Sequence, residues 1–367
     1  MPTEHLPRPF GGYILTAALG EDALGRIYRA LRTSGDAGFV RLRILESPEL
    51  SSDAVIDAIE ENGEIHGFLK NAAIARGVDM DAVDGVPYIA WNEPSGRTLA
   101  ALSDKCRSLS RKVPVEHALL IAERVATALD HAYNTTIDGD RTLHGLVWPD
   151  FVVISDDGEI RLSGFGLAAG VLPSLAKPRL EREIAPYLAP EQRASGAVGK
   201  NSDVFSVGAI LLELLTGHPP PPDPLAALKG RAGAPATPIL PEIQAVLRMT
   251  LGAPEARYKS SGDLRRELGK LLFSGPYSPS TFNLAYFLSD LFRNEIEAET
   301  RARKREAALE GGGAAPPGRS APAQAPHPAV PPPEIRVEEP GKRGPGSLVV
   351  ALLAAAAVAG GIYAVLR

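Results

Sequence analysis

Hydrophobic and polar positions change their spacing along the chain, and this change divides the folded part of the sequence in two. Between Tyr13 and about Val86, short apolar runs predict strands around one helical stretch. Between Val115 and Leu272 the spacing is mostly helical, and residues 151–162 predict a hairpin because turn-forming Ser, Asp and Gly residues separate two apolar runs. A small β-rich lobe at 13–92 followed by a larger helical lobe at 93–273 predicts an α+β fold with two lobes.

A further helical pattern covers residues 279–310. Its apolar positions recur at helical spacing: Leu284, Phe287, Leu288, Leu291, Phe292 and Ile296. A strongly charged run follows at 297–310. We expect the apolar half to pack against the chain's own domain, with docking on a partner as the alternative, and we expect the charged half to be a solvated face.

Two segments near the C-terminus have compositions unlike the rest. Proline and glycine occupy 17 of the 36 positions in 311–346, a composition that predicts a disordered linker. Residues 347–366 are twenty consecutive uncharged positions, which is about the length of a helix that crosses a bilayer. We interpret them as a single transmembrane helix that anchors the chain by its tail, and a buried or interfacial helix is the alternative.

Composition excludes several other classes of protein. The chain has 367 residues, a net charge of −5 and no block of basic residues, so general binding to nucleic acid is not expected. Its single cysteine, Cys106, cannot form an internal disulfide, and no Cys/His cluster has zinc-ligand spacing. The first fifteen residues lack the features of a secretory signal. Lys342 and Arg343 before the apolar segment favour a cytoplasmic location for the folded domain.

Six motifs follow one another in the order found in a known family. They are LGEDALGRIYRA at 19–30, FVRLRIL at 39–45, PYIAWNEPSGRTL at 87–99, LHGLVWPDFVVISDDGEIRLSGFGLA at 143–168, YLAPEQ at 187–192 and NSDVFSVGAILLELLTG at 201–217. Together they resemble the protein kinase superfamily, in particular bacterial Ser/Thr kinases. The resemblance implies a glycine-rich loop, a third strand, a hinge, a catalytic loop with its metal-binding motif, an Ala-Pro-Glu segment and a central large-lobe helix, in that order.

The residues that the family uses for phosphoryl transfer are replaced. The resemblance puts the catalytic aspartate at Leu146, the metal-binding asparagine at Phe151 and the metal-binding aspartate at Gly164. Leucine cannot act as a general base, and none of the three side chains can bind a metal ion. Asp150 lies beside the asparagine position, but an extended backbone would direct its side chain away from the cleft. We therefore predict no catalytic residue and no metal site.

Nucleotide binding is also weakened in this sequence. The glycine-rich loop keeps Gly20 and Gly25, but Asp22 stands at its middle glycine and would place a carboxylate near the phosphates. Arg43 takes the place of the phosphate-binding lysine, which keeps the charge but changes the geometry. Arg41, at the small residue above the adenine, would crowd the base unless it points outward. Gly20, Gly25 and Arg43 are thus only a residual nucleotide site.

The helix αC glutamate that pairs with this lysine in the family has no secure counterpart here. Glu60, Glu61 and Glu64 all lie near the position, and the closest spacing gives Asn62.

The residues that brace the large lobe in this family are present. By analogy, His144 and Asp203 support the catalytic loop, with Asp203 accepting backbone N–H bonds, and Glu191 pairs with Arg257 in a buried setting. A retained framework without its chemistry is the pattern of a pseudokinase. We expect a membrane-anchored regulatory or scaffolding protein with an unidentified protein partner and no cofactor. An atypical kinase or nucleotide sensor that binds ATP and Mg²⁺ is the alternative, and a purely structural tether is a third interpretation.

Overall fold

The structure is a computed structural model that describes residues 5–33, 38–92, 95–137, 139–228, 239–274, 277 and 279–311. The predicted membrane helix at 347–366 and nearly all of the predicted linker at 311–346 lie outside the described residues. Among the described helices, none is both long and apolar enough to span a bilayer.

The small lobe is an antiparallel sheet with two short helices. Its strands are β1 (Arg8–Phe10), β2 (Tyr13–Asp22), β3 (Gly25–Arg32), β4 (Gly38–Ile44), β5 (Gly77–Val83) and β6 (Val86–Trp91), in the order β1-β2-β3-β4-β6-β5. The helices α1 (Ser52–Asn62) and α2 (Ile65–Phe68) lie between β4 and β5. The sheet therefore begins at Arg8, before the predicted boundary at 13.

Strand alternation gives this sheet two different faces. On β3, Tyr28 and Ala30 belong to a small apolar cluster on one face, whereas Ile27 and Arg29 alternate with them and point to the other. Arg41 pairs with Arg29 in the β3–β4 register, so the second face carries arginines toward the large lobe. This second face forms the roof of the site described below.

The large lobe is built around a helix that is buried on every side. This helix is α8 (Lys200–Thr216), and all its residues from Ser202 to Leu214 are buried. Around it pack α3 (Leu99–Ser108), α4 (Val115–Asn134), α10 (Pro241–Leu251) and α11 (Ser261–Ser274). The shorter helices are α5 (Ala168–Val171), α6 (Pro178–Glu183), α7 (Pro190–Ser195) and α9 (Pro224–Leu228).

Short strands complete the large lobe. A three-stranded sheet in the order β11-β10-β7 consists of β7 (Arg97–Thr98), β10 (Val152–Ile154) and β11 (Ile160–Leu162). The hairpin predicted at 151–162 corresponds to β10 and β11, which pair antiparallel. A separate pair is formed by β8 (Thr136–Ile137) and β9 (Asp140–Arg141).

The C-terminal pattern forms two helices, α12 (Thr281–Leu291) and α13 (Arg293–Gly311), rather than one. The side chains of Leu284, Phe287, Leu288, Leu291 and Phe292 are buried in the main core, which confirms the expected packing against the chain's own domain. The prediction that the charged half is a solvated face holds for one side of α13, where Glu297 and Arg301 are exposed, and is wrong for the other side. Glu306 is buried, and α13 forms ion pairs with both lobes.

Candidate functional site

A cavity of about 660 Å³ lies between the lobes. Its roof comes from the β2–β3 hairpin and β4, at Gly20, Ile27 and Arg41. Trp148 and Asp150, in the segment before β10, also line it. The two-lobed fold thus brings the predicted nucleotide loop and the predicted catalytic loop to opposite sides of one cavity.

Leu146, at the predicted catalytic position, does not line this cavity. Its side chain is fully buried in the main apolar core. Phe151 is also fully buried and meets Trp148 edge to face, with ring centroids 5.8 Å apart. The segment that carries these residues is therefore held by apolar packing, which is the ordinary use of large buried side chains.

The position of the Phe151 ring requires a residue without a side chain at 164. Gly164 has φ +87, and a Cβ atom at this position would lie 2.6 Å from the Phe151 ring. A side chain at 164 therefore requires the ring to move. The space that a metal-binding aspartate would need at 164 is filled by the residue that replaces the metal-binding asparagine.

Asp22 lines the cavity, and its carboxylate is buried and paired with protein groups. It accepts hydrogen bonds from the backbone N–H groups of Leu24 (2.9 Å) and Gly25 (3.3 Å), and its Oδ2 lies 2.7 Å from Nη1 of Arg43. Burial raises the pKa of Asp22, and the positive charge of Arg43 opposes this shift. The sequence placed a repelling carboxylate near the phosphates; Asp22 does line the cavity, but its charge is buried and paired with Arg43.

Arg43 is fully buried and engaged with protein groups. Besides Asp22, its Nη2 donates to the backbone oxygen of Asp150 at 3.0 Å, and its guanidinium lies 4.7 Å from the centroid of the Phe151 ring. Of the other two residues predicted as a residual nucleotide site, Gly20 lines the cavity. Gly25 is required by packing, because a Cβ there would lie 2.1 Å from the backbone oxygen of Ile44.

No αC glutamate approaches this arginine. Glu60, Glu61 and Glu64 are exposed at the end of α1 and beyond it, and Asn62 donates to the backbone oxygen of Ala58. Asp22 of the loop thus supplies the carboxylate partner that the family takes from helix αC. The joint appearance of Asp22 and Arg43 in the sequence was a signal for this exchange, and sequence reasoning missed it.

Asp150 lines the cavity, which contradicts the prediction that it points away. The prediction assumed an extended backbone, but Pro149–Phe151 form a turn of 3-10 helix, where side chains do not alternate between two faces. Its Oδ1 accepts a hydrogen bond from Thr98 Oγ1 at 3.0 Å. Burial and the nearby Asp22 charge raise the pKa of Asp150 to about 7, against the lowering effect of Arg43.

Arg41 occupies the roof and points inward. It is buried, lines the cavity, and its Nη2 donates to the backbone oxygen of Gly96 at 2.9 Å. A guanidinium group therefore occupies the side of the cavity where the family places an adenine ring. The sequence left open whether Arg41 crowds the base or points outward, and the structure shows the inward orientation.

The framework residues make the contacts that the resemblance implied. Asp203 accepts from the backbone N–H groups of His144 (3.1 Å) and Gly145 (2.9 Å), and burial raises the pKa of Asp203 to about 6. Arg257 makes a two-pronged pair with Glu191. The setting of this pair differs from the expectation, since Arg257 is buried but 37% of the Glu191 side chain is exposed.

The segment after Gly166 folds against the small lobe, which the sequence analysis did not predict. A Cβ at Gly170 of α5 would lie 2.7 Å from the Cα of Val55 in α1. At the start of α6, the N–H groups of Arg179 and Leu180 donate to Glu49, and Arg179 Nη1 also reaches Glu21 of β2 at 2.9 Å. Arg179 and Glu21 also line the cavity, so this contact forms part of its wall.

Magnesium-bound ATP does not fit the residues that line this cavity. Arg43, at the position of the phosphate-binding lysine, is buried and paired with Asp22, and Arg41 occupies the adenine side. In the part of the chain that the structure describes, no group of three His, Cys, Asp or Glu side chains is arranged to hold a metal ion. A general base and two metal ligands are replaced by Leu146, Phe151 and Gly164.

Comparison with protein families gives one match, to the protein kinase domain, over residues 13–232. Similar curated proteins include the serine/threonine-protein kinase PknL of Mycobacterium tuberculosis, 28% identical over 57% of this chain and 50% of the relative. AfsK of Streptomyces coelicolor is 29% identical over 59% of this chain and 26% of the relative. The chain thus spans half or less of the length of these relatives. A crystal structure of the PknI kinase domain of Mycobacterium tuberculosis superposes with a TM-score of 0.55 at 23% identity, covering 73% of this chain and 99% of that domain.

Proposed function

Since the chain belongs to the protein kinase family but has Leu146, Phe151 and Gly164 at the positions that the resemblance assigns to the general base and the two metal ligands, we propose that it is a pseudokinase. The observation that carries this proposal is the packing of Phe151 into the space beside Gly164, with Leu146 buried in the core. The side chains of Leu146 and Phe151 are part of the hydrophobic core. The family has polar or charged catalytic groups at the corresponding positions.

The proposal is tested with the purified full chain. We expect no transfer of phosphate from ATP to itself or to a general protein substrate, and no rise in melting temperature on adding ATP with magnesium. An active bacterial Ser/Thr kinase in the same assays is the positive control. Phosphate transfer above the background of a heat-denatured sample contradicts the proposal.

A nucleotide sensor is the second candidate, because the cavity of about 660 Å³ is large enough for a nucleotide and the relatives are described as kinases. The thermal shift with ATP distinguishes this sensor from a pseudokinase that binds no nucleotide. A thermal shift with ATP but without phosphate transfer supports the sensor, and the Gly20→Val variant at the cavity roof should abolish that shift.

We also propose that the protein acts through a protein partner at a membrane, with residues 347–366 as the anchor. The twenty uncharged positions of that segment support the anchor. Alkaline extraction of membranes should leave the full chain in the pellet, and a variant with Val350→Lys, Leu353→Lys and Val358→Lys should move to the supernatant. Proximity labelling from the anchored chain would then identify the partner.

A further inference from the structure

The charged helix α13 crosses from one lobe to the other. Near its start, Glu295 pairs with Lys105 of α3 in the large lobe. One turn later, Glu299 Oε2 lies 3.1 Å from Nη1 of Arg97 in β7. Near its end, Glu306 meets Arg29 of β3 in the small lobe, with atoms 2.7 and 3.1 Å apart. One helix thus contacts both lobes and the short strand that follows the hinge.

These contacts come from one face of the helix. Glu295, Glu299, Arg303 and Glu306 are separated by four, four and three residues, which is the spacing of a single helical stripe, and Phe292, just before the helix, lies three residues ahead of Glu295. The acidic residue Glu297 is on another face, with 61% of its side chain exposed. The helix carries acidic and basic residues in similar number, so its acidic character belongs to the face that meets the lobes.

The surface under α13 is basic, and the ring of Phe292, between α12 and α13, packs against it. Arg97 and Lys105 both lie over the ring of Phe292, at 5.3 and 5.6 Å from its centroid. Arg29 is the most buried of the three cations, with 2% of its side chain exposed, and Glu306 is 11% exposed. Phe292, Glu295 and Glu299 also line the cavity between the lobes. The helix is therefore one wall of the cavity.

The forces that hold α13 are suited to reversible binding. Partly exposed ion pairs such as Arg97–Glu299 are each worth about 0 to 1 kcal/mol and weaken with salt. Apart from Ile296, the described side chains of α13 that are shown to meet the lobes are charged. The Arg29–Glu306 pair is the buried exception, with 2% and 11% of the two side chains exposed, so its separation accounts for most of the cost of releasing α13.

We propose that the surface formed by Arg29, Arg97 and Lys105 is a binding site for an amphipathic helix with an acidic face, which α13 fills in cis. Its occupation fixes the two lobes relative to each other and closes the cavity on the hinge side. A partner helix with the same acidic stripe can take the place of α13. The inference concerns helix exchange, so it holds or fails independently of phosphoryl transfer in the cleft.

The first test uses the full chain with Glu295→Lys, Glu299→Lys and Glu306→Lys. Like charges should then release α13, and hydrogen exchange of its backbone amides should accelerate by a factor on the order of ten or more. The Glu297→Lys variant is the matched control and should exchange as the unmodified chain does. Unchanged protection of α13 in the triple variant overturns the proposal.

The second test asks whether the uncovered surface binds a helix. A fluorescent peptide of residues 289–311 should bind the triple variant, bind the unmodified chain at least about tenfold more weakly, and dissociate as salt is raised. Adding Arg29→Glu, Arg97→Glu and Lys105→Glu to the triple variant should abolish peptide binding and restore protection of α13. A released α13 without peptide binding overturns the proposal of a helix site.

Discussion

The side chain of Phe151 packs at the position that the family resemblance assigns to the metal-binding asparagine. Its ring fills the space beside Gly164, touches Trp148 and lies under Arg43. The sequence identified every one of these replacements, because the family motifs fix the alignment. It could not identify the contacts among them, since which side chain fills a vacated space depends on the rotamers and neighbours of the folded state.

Gly164→Ala tests this packing. The substitution should destabilise the fold by about 2 to 4 kcal/mol, because the positive φ and the Phe151 ring both oppose a side chain there. Gly196→Ala is the matched control, since Gly196 has φ +70 with nothing within 4 Å of the added Cβ, and it should cost about 1 kcal/mol. Urea denaturation measures both. Equal costs for the two variants would show that the ring offers no resistance.

Asp150→Asn tests the electrostatics of the cavity. The pKa of Asp150 is raised to about 7, so the folded state holds its proton more tightly than the unfolded chain does. Its contribution therefore makes stability fall as pH rises from about 4 to about 7, and the asparagine variant should lack this fall. The amide keeps an acceptor for Thr98.

The measurement for Asp150→Asn is the melting temperature at pH 4.5 and pH 7.5. The variant should gain over the unmodified chain at the higher pH and show a smaller difference at the lower one. Asp57→Asn, on the exposed face of α1, is the matched control for exchanging a carboxylate for an amide outside the cavity. A variant that loses stability at pH 7.5 would contradict a raised pKa.

At the scale of elements, the hydrophobic periodicity of the C-terminal segment predicted which side chains are buried, whereas its charge pattern did not predict which side chains form ion pairs. The spacing of Leu284, Phe287, Leu288 and Leu291 indicated a helix with a buried face, and the structure buries all four. The same reasoning placed the charged half in solvent, because isolated charges are usually solvated. The ion pairs of α13 join residues from 147 to 277 positions apart in the chain, and a local pattern carries no information about partners at such separations.

Leu284→Ala tests the docking of α12. Its side chain is fully buried, so its removal should cost about 2 to 5 kcal/mol of docking free energy. Phe282→Ala on the same helix is the matched control, because Phe282 is 76% exposed, and it should change stability by less than about 0.5 kcal/mol. Hydrogen exchange of α12 reports local undocking, and chemical denaturation reports global stability. Similar values for the two variants would mean that α12 is not held by its apolar face.

At the scale of the whole molecule, the Asp22–Arg43 pair joins elements of both lobes. Arg43 stands on β4 of the small lobe and donates to the backbone oxygen of Asp150 in the large lobe. Asp22 neutralises it from the loop above. The fold class and order of motifs were predictable because they follow from hydrophobic pattern and motif spacing. The exchange of an αC glutamate for a loop aspartate was not, because it depends on how the β2–β3 loop bends inward.

Asp22→Asn isolates the charge of this pair, because the amide can still accept from Leu24 and Gly25. Leaving Arg43 buried without a counter-charge should cost about 3 to 5 kcal/mol. The double variant Asp22→Asn, Arg43→Met should lose less stability than the sum of the losses of the two single variants, because it leaves no stranded charge. Additive costs in this double-mutant cycle would mean that the two groups do not interact.

Restoring the kinase residues tests whether the cleft can be returned to catalysis. The triple change Leu146→Asp, Phe151→Asn and Gly164→Asp supplies a base and two metal ligands by residue type, but it places two carboxylates and an amide where the structure has core packing. Leu146 and Phe151 are both fully buried, so the substitutions remove apolar contacts and add polar groups without partners. Arg43 stays paired with Asp22 and Arg41 stays over the cavity, so the nucleotide would still lack its phosphate contact. We therefore expect a strongly destabilised protein without phosphate transfer, measured by denaturation and by transfer from labelled ATP. A folded triple variant that transfers phosphate would mean that the proposed inactivity of the chain resides in three side chains and not in the packing that surrounds them.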